Sequence, residues 1–197
     1  MNHKILFLLF FLIFFQCDKN NSPFPYEEEI VKMGMLRVVL DCPFEDCGPR
    51  YTLLNESLGI DAILIGDIDK NHSNLIVQVF GKNKLLTDED RILTNYFGPI
   101  DKAIHVEKYK LISNINYHSF LPENARLYTI QKYGCFIVWN KSYYWKIIED
   151  IPYIGVRMTN TFSDSIPFPF IEIWYNAKNG EFAKEVNSLY GIIPCEN

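Results

Sequence analysis

The chain has 197 residues, 48% of them hydrophobic, which is enough for one sizeable core or two small ones. Charged residues at 22% and aromatics at 15% exclude a disordered chain. The formal charge of −5, with Lys and Arg scattered, leaves no electrostatic footprint for nucleic acid, and the four dispersed histidines form no His-x-x-x-His pair.

The N-terminus reads as a targeting segment. His3 and Lys4 precede an unbroken apolar run of eleven residues, 5–15. As a helix that run spans roughly 16 Å, against a bilayer core of about 30 Å. Residues 1–16 are therefore expected to be a signal peptide and not a membrane span. The run ends on Cys17, and no small-x-small site for an ordinary signal peptidase precedes it. The motif IFFQC, 13–17, resembles the lipobox of bacterial lipoproteins in a relaxed form. Phe14 and Gln16 stand where the usual pattern has Leu and a small residue. The resemblance implies that Cys17 becomes the acylated N-terminus of the mature chain, with the membrane as its partner and the cell envelope as its location. Residues 17–31, with their Asn, Ser, Pro and Glu, are expected to be a flexible tether. A secreted protein without the anchor is the alternative.

Five cysteines are an odd number for an oxidising compartment, and setting Cys17 aside leaves Cys42, Cys47, Cys135 and Cys195 to form disulfides. Three pairings are open. The reading leans to Cys42–Cys47, closed by the bend at Pro43, and Cys135–Cys195, which would pin a C-terminus that otherwise frays. Four residues separate Cys42 from Cys47, where a thioredoxin-type redox pair has two.

The body, 32–197, is expected to be a single α+β domain of antiparallel sheets built from hairpins with a few short helices, stabilised by disulfides. A soft boundary near 97–102 leaves room for two lobes. Strands are predicted at 36–40, 61–68 and 74–80, the last two joined as a hairpin by polar turn residues. A helix opens after Thr87, with acids in its first turn, and stops before Pro99. Further strands are predicted at 134–140, 154–160 and 170–175, where FIEIWY alternates as a half-buried strand does. The spacing of Phe182, Val186, Leu189 and Tyr190 predicts a helix over 181–190, capped by Gly191.

Candidate chemistry is sparse. Asp67, Asp69, Asn71 and Ser73 place oxygens at alternate positions, as a calcium loop opens. His72 stands where the sharp turn needs Gly, and Gln78 where a closing Glu belongs, so an ordinary polar turn is expected and no metal or cofactor. No nucleophile elbow, zinc-protease, dinucleotide or phosphate-loop motif occurs, and a non-enzymatic role is favoured over an enzyme. Aromatics cluster at 138–145 and 167–175. Trp139, Tyr143, Tyr144, Trp145 and Trp174 are the candidate binding residues, with core packing as the competing use of those rings.

The segment GIDAILIGDIDKNHSNLIVQVF, 59–80, resembles a Gly-x-Asp, apolar strand and hairpin element of envelope-assembly lipoproteins. Those include the curli-secretion lipoprotein and activators of penicillin-binding proteins. The resemblance implies a small α/β domain that binds a partner in the periplasm, and it transfers no functional residue. The expectation is thus a lipid-anchored extracytoplasmic protein with a binding or envelope-assembly role. A secreted, disulfide-stabilised enzyme or inhibitor is the alternative.

Overall fold

The computed structural model describes residues 28–40, 48–134, 140–160 and 169–188. The first half forms β1 (Glu29–Val39), β2 (Arg50–Leu54), β3 (Ile60–Ile65), β4 (Ile76–Leu85), α1 (Asp88–Leu93) and β5 (Lys102–Leu111). The second half forms α2 (Tyr117–Tyr133), β6 (Asn140–Ile148), β7 (Ile151–Thr159), β8 (Phe170–Asn176) and β9 (Phe182–Asn187). Strands β1 to β5 close a barrel in the order β1-β2-β3-β5-β4, and β6 to β9 form a four-stranded sheet in sequence order. Among the described residues the protein is mostly β, and every strand pair is antiparallel except β3 with β5.

β1 serves two partners. Its first half pairs with β4, from Glu29↔Lys82 to Met35↔Ile76, and its second half with β2, from Met35↔Leu54 to Val39↔Arg50. Gly34 sits at the changeover, where an added Cβ would lie 2.3 Å from Leu53 Cγ. The missing side chain is what lets β1 turn across the core. Alternate residues fill the barrel, among them Leu36, Leu53, Leu64, Val77, Val79 and Ile104.

β1 begins at Glu29, three residues inside the stretch expected to be tether. Strands do form within 61–68 and 74–80, but not as a hairpin. β3 gives its two edges to β2 and β5, and β4 gives its two to β1 and β5. β5 therefore lies between them. Alternation in a strand fixes which face is buried and is silent on which strand lies beside it. The connection carries a 3-10 turn, Lys70–His72, and inserts Ile68 into the barrel core. α1 forms where expected. Thr87 Oγ1 accepts from Asp90 N at 3.1 Å while Asp90 Oδ2 accepts from Thr87 N at 2.9 Å, a reciprocal cap. Residues 97–101 connect α1 to β5, which pairs with β3 and β4 of the barrel.

α2 and β9 depart from the sequence reading. No helix is predicted at 117–133, because its buried residues are only Tyr117, Leu121, Ala125 and Thr129. That stripe is one residue wide and half of it is Ala and Thr, so no apolar period shows; Pro122 further disguises it. Gly134 closes the helix at φ +77° instead of opening a strand, and 135–139 lie outside the described residues. The helix expected from 181 is corrected to a strand, β9, paired to β8 with a bulge at Trp174/Tyr175. Its helical spacing is overridden by the free edge of β8 and by what Glu185 bonds.

Glu185 clamps β9 to α2. Its carboxylate accepts from Tyr128 Oη at 2.6 Å, Lys132 Nζ at 2.7 Å and Tyr133 Oη at 2.7 Å. Its side chain is 6% exposed. Burial alone would raise its pKa, but bonds from Lys132, Tyr128 and Tyr133 outweigh that and hold it at about 2. A carboxyl near 4.3 in the unfolded chain and about 2 when folded contributes stability that is fully present above the unfolded value. That contribution is lost as pH falls from there towards about 2. Glu185→Gln is expected to lose on the order of 3 kcal/mol at neutral pH and to flatten the acid limb. Urea unfolding between pH 2 and 7 checks it; an unchanged pH profile would refute the clamp.

Candidate functional site

The β6–β9 sheet buries one face and opens the other to solvent. Register sets the open face in rows: Tyr144 beside Gly155, Trp174 and Lys184, and Ser142 beside Arg157 and Glu172. The Trp174 ring lies flat on Gly155, where an added Cβ would meet its ring carbons at 2.7 Å. Lys146 Nζ sits 3.8 Å from the same ring's centroid. Trp174 Nε1 donates to Glu172 Oε1 at 2.6 Å, and Glu172 Oε2 is 3.8 Å from Arg157 Nε. The Arg157 guanidinium in turn lies 3.8 Å over Phe170.

The β2–β3 turn forms the wall of this site. Trp145 Nε1 donates to Asn55 O at 2.7 Å, and Trp145 N to Glu56 O at 3.3 Å. A hollow of about 260 Å³ results, lined by Glu56, Tyr144, Trp145, Lys146, Arg157 and Trp174 among others. A second, of about 140 Å³, shares Lys146 and Trp174 and adds Tyr153 and Lys184. Burial, and then the ammonium of Lys184, push Lys146 below its ordinary pKa. The chemistry on offer is recognition: ordered cations and carboxylates over a packed indole.

Of the predicted residues, Tyr144, Trp145 and Trp174 meet here. Trp145 and Trp174 are each only 5% exposed, so the site presents edges and charged neighbours, not open ring faces. Tyr143 points to the core, its ring 6.0 Å from that of Tyr117. Trp139, Cys17, Cys42, Cys47, Cys135 and Cys195 lie outside the described residues. In the calcium-like stretch, Asp69 accepts from Asn71 N at 2.9 Å and Ser73 Oγ from Val38 N at 3.2 Å, so both oxygens hold the turn itself. Among the described residues no three His, Cys, Asp or Glu side chains gather as a metal site, and no helix is long and apolar enough to cross a membrane.

Arg157, Glu172 and Glu56 were not legible as site residues. The one available signal was Gly155 inside a strand, which marks close approach by another group. Comparison with protein families, with curated proteins and with solved structures finds no match to this chain.

Gly155→Val is expected to lift Trp174 off the sheet and open both hollows, at a cost of about 1–3 kcal/mol. Near-UV circular dichroism with chemical denaturation checks this; an unchanged tryptophan signal would contradict the stacking.

Proposed function

We propose that this chain is a lipid-anchored extracytoplasmic protein, held to a membrane through Cys17, that binds a partner at the Trp174–Lys146 hollows without turning it over. The observation that carries the binding reading is the ordering of Lys146, Arg157 and Glu172 around one buried indole, on the sheet face the core leaves unused. Such fixed charges beside aromatic anchors are what desolvated recognition sites are built from. The anchor rests on the apolar run 5–15 and the lipobox resemblance at Cys17. The resemblance of 59–80 to envelope-assembly lipoproteins agrees with that setting.

Disulfide stabilisation belongs to the same reading. Val39 and Arg50 are paired at the base of the β1–β2 connection, and Cys42 and Cys47 each lie three residues beyond them. That symmetry across a hairpin supports a Cys42–Cys47 bridge, leaving Cys135 and Cys195 for the second.

Intact-mass analysis of membrane-extracted protein is expected to give residues 17–197 plus acyl chains, and Cys17→Ser to leave the membrane fraction. A wild-type chain recovered without acyl chains would refute the anchor. For the binding reading, a benzophenone amino acid at Tyr144 is expected to yield a cross-linked adduct in intact cells, and the same group at the exposed Glu89 of α1 none. Equal adducts, or none at either position, would sink it.

A further inference from the structure

Resting on the anchor reading, we infer that the outer face of β1, β4 and β5 is a membrane-contact face. It lies on a bilayer with anionic phosphate headgroups, placing Val31, Met33 and Phe80 at the acyl boundary and Lys108, Lys110 and Lys178 on the phosphates.

The register builds this face. Val31 pairs with Phe80 and Phe80 with Lys108; Met33 pairs with Gln78 and Gln78 with Lys110. Two adjacent rows thus run from apolar to cationic. Val31 is 60% exposed and Met33 41%, while the next outward residue of the same strand, Met35, is fully buried under the second sheet. The covering layer stops at Met35, and the apolar run of outward residues does not. Lys108 Nζ lies 4.9 Å over the Phe80 ring, so its stem lines apolar surface while its charge stays at the rim.

A hollow of about 330 Å³ continues the face, lined by Met33, Gln78, Lys110, Leu111, Asp150 and Lys178 among others. Lys110 and Lys178 bring two ammoniums to it against the one carboxylate of Asp150. Glu29 stands opposite Lys82 at the end of this face, which leaves Lys108, Lys110 and Lys178 to set the charge of its middle.

The occupant follows from where the chain leads. Glu29 is the first residue of β1, and Glu28 O accepts from Asn83 N at 3.2 Å at the end of this face. Eleven residues separate Glu29 from Cys17, which span at most about 40 Å in any conformation. An acylated Cys17 therefore keeps this face within reach of the lipid surface. Apolar groups at the acyl boundary with lysines at headgroup level are the two contributions that hold a domain flat on a membrane.

The acylated full-length protein, reconstituted in vesicles of 30% phosphatidylglycerol and 70% phosphatidylcholine, is labelled with an amine-reactive reagent. Each lysine is then read by mass spectrometry. Lys108 and Lys110 are expected to react about fivefold more slowly than in pure phosphatidylcholine vesicles, with Lys184 unchanged. Val31→Ser with Met33→Ser, both at exposed positions, is expected to restore their rates. Lys108 and Lys110 reacting equally in the two vesicles overturns the inference. So does equal protection by phosphate buffer over pure phosphatidylcholine, which would mark a site for free phosphate. Intact mass on the same sample reports the anchor separately: an unacylated chain sinks both readings, and an acylated chain with unprotected lysines sinks only the contact face.

Discussion

Met35, Leu54 and Ile76 point away from the barrel interior, yet each is at most 1% exposed. A closed barrel buries the inward half of every strand and leaves the outward half to solvent, so these three side chains require a second layer. α2 and the β6–β9 sheet supply it, through Leu121, Trp145, Ile154, Val156, Ile171 and Ile173. Burying one such side chain is worth about 1.5–3 kcal/mol. Stripping the layer from three of them would cost on the order of 5–9 kcal/mol, comparable to the net stability of a whole domain. The two β layers therefore stand or fall together, and both proposed surfaces follow from how much of each layer that contact consumes.

The junction is also fixed by hydrogen bonds. Residues 112–116, between β5 and α2, bond both layers within five positions. Ile112 N donates to Ile76 O at 2.8 Å, and Ser113 Oγ accepts from Ile76 N at 2.8 Å. Asn114 N and Ile115 N each reach Ala177 O at 3.0 Å, and Asn116 caps α2 while its amide donates to Ser73 O at 3.0 Å. Ser113 is fully buried, so losing its hydroxyl would strand the Ile76 N–H. A connection this densely bonded sets one orientation of sheet against barrel.

What could be read from the sequence was the burial pattern of single strands. Apolar, β-rich runs mark β3, β4 and β7, the alternation of FIEIWY marks β8, and Thr87 with the acids after it marks α1. Partnership was not legible. The β3–β5 pair joins residues about forty apart, and nothing local in 61–68 distinguishes it from a hairpin with 74–80. α2 escaped because a helix held between two β layers needs only one narrow buried stripe, and Ala125 and Thr129 satisfy it without an apolar signal. β9 was misread because a bulge lets Phe182 and Glu185, three apart, face α2 together, a spacing that in sequence imitates a helix. Of the aromatic clusters, Tyr144, Trp145 and Trp174 line the hollow on the open face of β6–β9. Their use differs from the expectation of open rings, since Gly155 and Lys146 enclose Trp174 from both sides.

The location of the hollows follows from the same accounting of faces. A closed barrel can offer a ligand the outer face of its strands, and the outer face of β2 and β3 is the first candidate. Here that face is spent: Leu54 belongs to the core shared with the sheet, and Ile63 is covered by Tyr96 from the α1–β5 connection. The solvated surface that remains ordered is the open face of β6–β9, where cross-strand rows hold charged side chains in place without help from the barrel. On the barrel itself, Val31, Met33 and Phe80 occupy the stretch of β1 and β4 that the second layer does not reach. With residues 112–116 fixing one layer against the other, a barrel face set on a bilayer would hold the Trp174 hollows at one constant attitude to the membrane. Orientation, more than affinity, is then what the lysine-rich face would contribute to binding at the other.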